Sequence, residues 1–195
     1  MHISTAERKE AFAAALDDQL DSLVARGVRM VGNALSPIVL VKGDLDDAEL
    51  AGGELLAGPD GVALRAALTA IGYAPEDFCG IAVRAGDAAA DADAAAPAGE
   101  LIGPDVFHEA METLDPEAVV LLDTTATDVM RDAYADALVV IEDFDVAMLS
   151  PGLVAHVLGR RVLPLDGFEA ALNDPREKQR MWAYIKRLPP AGAPY

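Results

Sequence analysis

The sequence predicts a three-layer α/β/α sandwich with a central, mostly parallel sheet of about four strands. Short β-branched runs alternate with longer helical segments, which is typical of parallel strands buried on both faces. The composition agrees, because 52% of the 195 residues are hydrophobic, enough for a folded core. We expect a single domain over residues 1–195, made of an N-terminal helix (1–27), a core (28–187) with a mobile loop (85–100), and a flexible tail (188–195).

The helices are predicted from apolar spacing and from residues that cap helix ends. In residues 4–26, Ser4 and Glu7 have capping-box spacing, and large apolar residues recur every three to four positions. Thr124 or Thr125 is expected to cap a helix that runs to about residue 134. Further helices are expected over residues 60–71, 104–114, 150–157 and 168–187, the last of them interrupted near residue 175.

The strands are predicted from short apolar runs bounded by glycine, proline or acidic residues. They are expected over residues 37–42, 78–84, 118–122, 138–141 and 161–165. Between the second and third strands lies a stretch of alanine and aspartate without large apolar side chains. We expect this stretch to form a mobile surface loop, because it offers little to pack into a core.

The charge balance is strongly acidic. Fifteen lysines and arginines stand against 33 acidic residues, giving a formal net charge of −18. Nucleic-acid binders usually present a basic face, so nucleic acid is not an expected partner. A protein or a small ligand is expected instead. Two further interpretations stay open: the acidity serves only solubility, or an acidic surface imitates nucleic acid to bind a DNA-handling protein.

The chain shows no sequence features of membrane insertion, secretion or metal binding. No apolar run approaches the roughly 20 residues that a membrane span needs, and the first residues lack a signal-peptide core, so we expect a cytoplasmic protein. Cys79 is the single cysteine, which excludes a cysteine-ligated cluster or zinc. His2, His108 and His156 lack the mutual spacing of metal ligands. No cofactor and no metal are therefore expected.

Two charged groups in the sequence are interpreted as solvated surfaces. The acidic residues that follow the first predicted strand, from Asp44 to Glu49, lack the spacing of a calcium loop. The main basic cluster lies on the last predicted helix, where it complements the helix dipole; it consists of Arg176, Lys178, Arg180, Lys186 and Arg187. Trp182 on the same helix is expected to belong to the core.

Three blocks of the chain carry a pattern of strands, glycines and prolines. In the first, residues 36–78, a strand ends at Gly-Asp and a Gly-x-x-Gly turn precedes a helix. The second, residues 114–122, reads Leu-Asp-Pro-Glu-Ala-Val-Val-Leu-Leu, a turn followed by a strand. The third, residues 162–175, is a strand ending in Leu-Pro, a loop and a helix.

The order and spacing of these blocks resemble the uracil-DNA glycosylase superfamily, closest to its bacterial iron–sulfur-containing branch, over about residues 28–187. The resemblance implies a glycosylase-like fold. The family's His-Pro-Ser motif is replaced here by Gly167, Phe168 and Glu169. The branch's iron–sulfur cluster is not implied, because the cysteines that would hold it are missing.

The resemblance also implies where the family's pocket would lie. Gly43 and Asp44 match the loop whose carboxylate acts on water in the family, which makes Asp44 a vestigial catalytic candidate. Leu55 stands near the position of the aromatic ring that stacks on the flipped base. Ala82 replaces the base-reading asparagine, and Gly167 replaces the histidine that stabilises the departing base. With these groups gone, we expect no glycosylase activity.

The leading hypothesis is therefore a pseudoenzyme, a catalytically degenerate glycosylase-like protein that binds a protein or a small ligand. The alternative is a DNA-base glycosylase or other hydrolase with an altered active site. It would use Asp44 together with Asp143 or Asp145, which follow a predicted strand end.

Overall fold

The computed structural model of the chain describes residues 4–89, 92–93 and 95–192. Its centre is one six-stranded sheet. The strands are β1 (Arg29–Gly32), β2 (Ile38–Lys42), β3 (Cys79–Ala82), β4 (Ala118–Leu121), β5 (Ala155–Val157) and β6 (Arg160–Pro164). They lie in the order β1-β3-β2-β4-β6-β5.

The four inner strands are parallel and the two outer strands are antiparallel. Strands β3, β2, β4 and β6 run side by side, with Lys42 opposite Ala82 and Leu121 opposite Pro164. Their carboxyl ends therefore meet at one edge of the sheet, which we call the carboxyl edge. Strands β1 and β5 pair antiparallel with β3 and β6.

The α/β class is confirmed, but the predicted count of about four strands is wrong because the sheet has six. The two antiparallel strands escaped the sequence pattern because neither forms a continuous apolar run. Strand β1 is Arg-Met-Val-Gly, and β5 is Ala-His-Val. Runs of three or four residues with polar interruptions do not stand out as strands.

The helices lie on both faces of the sheet. They are α1 (Thr5–Ala25), α2 (Asp47–Leu50), α3 (Pro59–Ala70), α4 (Pro104–Leu114), α5 (Thr124–Ala133), α6 (Ala135–Leu138), α7 (Phe144–Ala147), α8 (Phe168–Ala171) and α9 (Pro175–Ile185). Alternate residues of β2 point to two separate cores, as the period of a strand requires. Val39 and Val41 face a core built with α1, α4 and α5, the α1 face. Ile38 and Leu40 face a core built with α3, α8 and α9, the α9 face.

The capping box predicted for the first helix is confirmed. The Ser4 hydroxyl accepts from the Glu7 backbone N–H at 3.1 Å, and the Glu7 carboxylate accepts from the Ser4 N–H at 2.6 Å. The cap predicted at Thr124 or Thr125 is wrong, because Asp123 caps α5. Aspartate is a stronger N-cap than threonine, and its carboxylate accepts the free N–H groups of the first turn.

Two predicted elements of the carboxyl-terminal half are wrong. Residues 138–141 are not a strand: Leu138 ends α6, and Val139 and Val140 are 78% and 76% exposed. The β-branched run imitates a buried strand, but its side chains point into solvent. Residues 150–157 are not a helix, since Gly152 lies in a turn and the segment ends in β5.

The predicted loop at 85–100 falls partly outside the described residues, which omit Ala90, Asp91 and Ala94. In its described part, Ala85 is buried in the core of the α1 face. The Gly86 N–H donates to the Gly27 carbonyl at 2.8 Å. The mobility of the loop stays a prediction.

Candidate functional site

A cleft of about 340 Å³ opens at the carboxyl edge, where β2, β4 and β6 end. Its walls come from the segments that follow these strands, and Lys42, Leu122 and Phe168 are among the residues that line it. Ligands in α/β sheets commonly bind outside the carboxyl ends of the strands. The position makes this cleft the candidate site of the molecule.

The structure brings together only part of the predicted pocket. Asp44 and Gly167 both line the cleft. Gly43 is buried beside them, where an added Cβ would lie only 2.6 Å from the Thr125 side chain. Its Cα thus packs directly against the start of α5.

The remaining predicted pocket residues do not line this cleft. Ala82 is fully buried at the end of β3. Leu55 lines a different cavity of about 560 Å³ between β1, α2 and the segment after β3. That cavity is bordered by Arg29, whose guanidinium donates to the Glu49 and Gly53 carbonyls at 2.7 Å each. We take the carboxyl-edge cleft as the candidate site because ionisable groups converge there.

A buried lysine forms the floor of the cleft. The Lys42 side chain is 2% exposed, and its Nζ lies 2.7 Å from Glu49 Oε2, 2.6 Å from Asp60 Oδ2 and 3.0 Å from Glu169 Oε2. Burial by itself would lower the pKa of Lys42, but the hydrogen bonds to Asp60, Glu49 and Glu169 outweigh it and raise the pKa. Lys42 is therefore charged at neutral pH, and its three N–H donors all have partners.

The two buried carboxylates of this lysine cluster are held by backbone donors as well. Glu49 accepts from the backbone N–H groups of Asp46 and Leu56 at 2.9 and 2.8 Å. Asp60 Oδ1 accepts from the Gly61 N–H at 2.8 Å. The interpretation of the acidic segment as a solvated loop is therefore wrong for Glu49, which is buried. The cluster joins the end of β2 to α2, α3 and α8 and so fixes the shape of the cleft.

A second carboxylate, Asp123, occupies the backbone donors beside the cleft. Its Oδ2 accepts from the Gly43 and Asp44 N–H groups at 2.8 and 3.0 Å, and its Oδ1 accepts from the Ala126 N–H at 2.8 Å. Asp123 is only 5% exposed. The start of α5 and the turn after β2 are places where an anion would find N–H donors, but this side chain already fills them.

The groups that face the open cleft are mainly acceptors. Asp44 is exposed, and its Oδ1 accepts from the Thr125 hydroxyl at 2.7 Å. Half-buried Asp46 lines the same wall, and the Glu169 side chain is 48% exposed although it reaches Lys42. Three carboxylates at one opening, with their positive partner buried below, create a negative potential in the cleft.

Gly167 stands where the family resemblance places a histidine. Its φ of +71° lies in the left-handed region, which glycine enters without the steric cost that other residues meet. An added Cβ would find its nearest neighbour, the Ala170 Cβ, 4.0 Å away. Space for a side chain therefore exists, and the backbone conformation is what favours glycine here.

The described histidines lie away from the cleft. The His108 ring packs on Tyr134 with ring centroids 4.8 Å apart, and His156 is exposed on β5. His2 lies outside the described residues. Within the ranges that the structure describes, no three His, Cys, Asp or Glu side chains are grouped so that they could hold a metal ion. None of the described helices is both long and apolar enough to cross a membrane, and the cytoplasmic location stays a prediction.

Comparison with known proteins adds no family assignment: no protein-family model matches the chain, and no curated protein matches its sequence.

Sequence reasoning missed the two residues that organise the cleft, Lys42 and Asp123. Each had a signal. A lysine that ends a run of buried β-branched residues must bring its charge to a carboxylate or to solvent. An aspartate directly before Thr-Thr at a predicted helix start is a stronger cap than either threonine.

Proposed function

We propose that this chain is a uracil-DNA glycosylase-like protein that has lost base excision and binds a small organic cation in the carboxyl-edge cleft. One observation carries the proposal. Lys42 and the backbone N–H donors around the cleft are already bonded to carboxylates of the chain itself. At the opening of the cleft, Asp44, Asp46 and Glu169 present hydrogen-bond acceptors.

The same arrangement argues against nucleic acid as the ligand. A phosphate backbone needs cations and N–H donors to replace its counterions and its water. Lys42 has three carboxylate partners, and Asp123 takes the donors beside it. The net charge of −18 adds a long-range repulsion. The net negative charge would repel a DNA strand as it approaches, and the carboxylates of the cleft would repel its phosphates on contact.

The glycosylase-like part of the proposal is supported by where the matched positions fall. The four inner strands are parallel, and Asp44 and Gly167 follow two of them at the same edge. The histidine position carries no side chain, and Ala82 has no group that could read a base edge. A stabilising group removed from a transition state costs roughly 2.7–4 kcal/mol, and at least two are absent here.

The ligand chemistry follows from the acceptors. Ammonium and guanidinium groups donate several hydrogen bonds and bind best between carboxylates that are already fixed. Asp44 is fixed by Thr125, and Glu169 by Lys42. We therefore infer a ligand with two or more positively charged nitrogens, of the polyamine or guanidine class.

The experiment has two arms on the purified protein. The first measures base release from single-stranded and duplex DNA that contains uracil, at low salt, where we expect none. The second titrates spermidine into the protein by calorimetry at a fixed ionic strength. We expect Asp44→Asn to weaken spermidine binding about tenfold, the loss of one charge-assisted hydrogen bond.

Asp47→Asn is the matched control. It removes the same charge three residues away, from an exposed position that does not line the cleft. Equal weakening by both variants would mean that spermidine responds only to net charge, which would overturn the proposed site. Base release by the wild-type protein would overturn the loss of catalysis and point to Asp44 in an altered active site.

The alternative enzyme with paired carboxylates finds less support. Asp143 caps α7, where its Oδ1 accepts from the Asp145 and Val146 N–H groups at 3.0 and 3.2 Å. Neither Asp143 nor Asp145 lines the cleft that holds Asp44. A hydrolase at this edge would have to work with Asp44 without them.

A further inference from the structure

The first helix carries an apolar stripe that continues past the body of the protein. Phe12, Leu16 and Leu20 are spaced four residues apart and share one side of α1. Leu20 packs against the core of the α1 face, and Leu23 beyond it is fully buried. Leu16 is half-buried, and Phe12 is 76% exposed. The outer part of the stripe is an apolar surface that the described residues leave exposed.

A second apolar surface that the described residues leave exposed lies between α3 and α9. It is a groove of about 590 Å³ with Met181 and Ile185 at its base and Trp182 on one wall. The opposite wall is a row of small side chains on α3, Ala63, Ala66, Ala67 and Ala70. The expectation that Trp182 belongs to the core is wrong, because 36% of it is exposed at this groove.

The two surfaces lie on opposite faces of the sheet. Leu23 of α1 belongs to the core of the α1 face, while Met181 of α9 belongs to the core of the α9 face. The helix of one chain therefore cannot fill the groove of the same chain. Only a second molecule can bring such a helix to the groove.

The charges of the two elements are complementary. Helix α1 carries five acidic residues (Glu7, Glu10, Asp17, Asp18 and Asp21) against two basic residues, Arg8 and Lys9. Residues 176–187 hold five basic residues against one acidic residue, Glu177, in a chain with only 15 lysines and arginines. Lys178 lines the groove itself. The groove is thus an apolar surface of this acidic protein that is bordered by its main basic segment.

We propose that the amino-terminal part of α1 docks in the α3–α9 groove of a second copy of this chain. Phe12 and Leu16 enter the groove against Trp182 and the alanines of α3. The acidic residues of α1 then lie near the basic residues of α9. Since the two surfaces differ, the contact is head-to-tail, and an open assembly keeps one free helix at one end and one free groove at the other unless a ring closes.

The first test follows mass and fluorescence as the protein is concentrated, at an ionic strength that screens the repulsion between two acidic chains. Trp182 is the only tryptophan, so its emission reports on the groove alone. We expect the average mass from light scattering to rise with concentration and the emission to move to shorter wavelength. Phe12→Glu should weaken the association about tenfold, so that both changes occur at about ten times the protein concentration.

Phe144→Glu is the matched control, because Phe144 is 73% exposed and lies on α7. It should associate as the wild type does. A wild-type protein that stays monomeric over the whole range would overturn the proposal. So would a Phe12→Glu variant that associates normally.

A complementation experiment tests the pairing of the two surfaces. Ala66→Glu places a charge on the exposed wall of the groove and leaves α1 intact, while Phe12→Glu leaves the groove intact. Each variant alone should stay monomeric at a concentration at which the wild type associates. An equimolar mixture retains one good helix and one good groove, so it should form a dimer and no larger species. A mixture that stays monomeric would show that α1 and the groove do not bind each other.

Discussion

The two edges of the sheet each hold a buried cation among carboxylates, but water reaches the two clusters differently. At the carboxyl edge, Lys42 contacts Glu49 and Asp60, whose side chains are both 3% exposed. At the opposite edge, where β6 begins, Arg160 contacts Glu112 and Asp115 at 2.6 and 3.0 Å, and these carboxylates are 43% and 82% exposed.

The difference separates a cluster that depends on its cation from one that does not. If Lys42 loses its charge, two carboxylates remain in the core without a counterion and without water. If a substitution removes the guanidinium of Arg160, water can solvate Glu112 and Asp115. Removing one partner of a buried pair is far more costly than removing one partner of an exposed pair.

The largest effect is expected from Lys42→Met, which keeps an unbranched apolar stem and removes the charge. We expect it to lower the free energy of unfolding by about 3–5 kcal/mol, because Glu49 and Asp60 stay buried and unpaired. Urea unfolding followed by circular dichroism measures this. The triple variant Lys42→Met, Glu49→Gln, Asp60→Asn should recover part of the loss, since neutral amides cost less to bury.

Arg160→Met is the matched change at the other edge. It should lower the free energy of unfolding by about 1–2 kcal/mol, because its partners gain water when the guanidinium is removed. The same urea experiment measures it. If Arg160→Met lowers the free energy of unfolding as much as Lys42→Met does, the comparison is contradicted. The cost would then come from losing the cation itself and not from how exposed its carboxylate partners are.

The next effect sharpens the interpretation of the carboxyl edge. Gly167→His places an imidazole at the position that the proposed family resemblance assigns to histidine. We expect a loss of about 1 kcal/mol from the left-handed backbone, and no base release from uracil-containing DNA. Ala82 still offers no partner for a base edge. Measurable excision by this variant would show that one side chain separates this cleft from an active glycosylase.

The parts of this architecture that the sequence predicted are those coded by neighbouring residues. The run from Ile38 to Val41 is apolar at every position, so a strand buried on both faces follows from it directly. The pair Val139-Val140 has the same composition, yet both residues are exposed, because the residues on either side of the pair, Leu138 and Ile141, are the ones that pack against the core. Composition indicates a strand, but a neighbouring strand must be present to pair with it.

The candidate site was less predictable because its contacts join distant parts of the chain. Lys42 is visible at the end of a strand, but its partners come from three separate helices. The positions of Asp44 and Gly167 at one edge depend on the order of the strands, which the sequence does not state. Asp123 is local to the helix that it caps, and only the fold brings it to Gly43.

The smallest expected effect concerns the pH dependence of the Arg160 cluster. The hydrogen bond from Arg160 lowers the pKa of Glu112 in the folded protein, and Tyr134 also donates to this carboxylate. A lowered folded pKa stabilises the fold above the unfolded pKa of about 4.3, and this contribution is lost as the pH falls through the folded pKa. Because Glu112 is 43% exposed, we expect the contribution to be only a few tenths of a kcal/mol.

The measurement is the difference in unfolding free energy between the wild type and Arg160→Met, taken from pH 7 down to pH 3. The difference should shrink below about pH 4.3, because the protonated Glu112 no longer forms an ion pair with Arg160. Glu109, whose pKa is lowered by Arg26, titrates in both proteins and cancels. A difference that stays constant with pH would mean that Arg160 stabilises the sheet edge through its packing and not through its ion pair with Glu112.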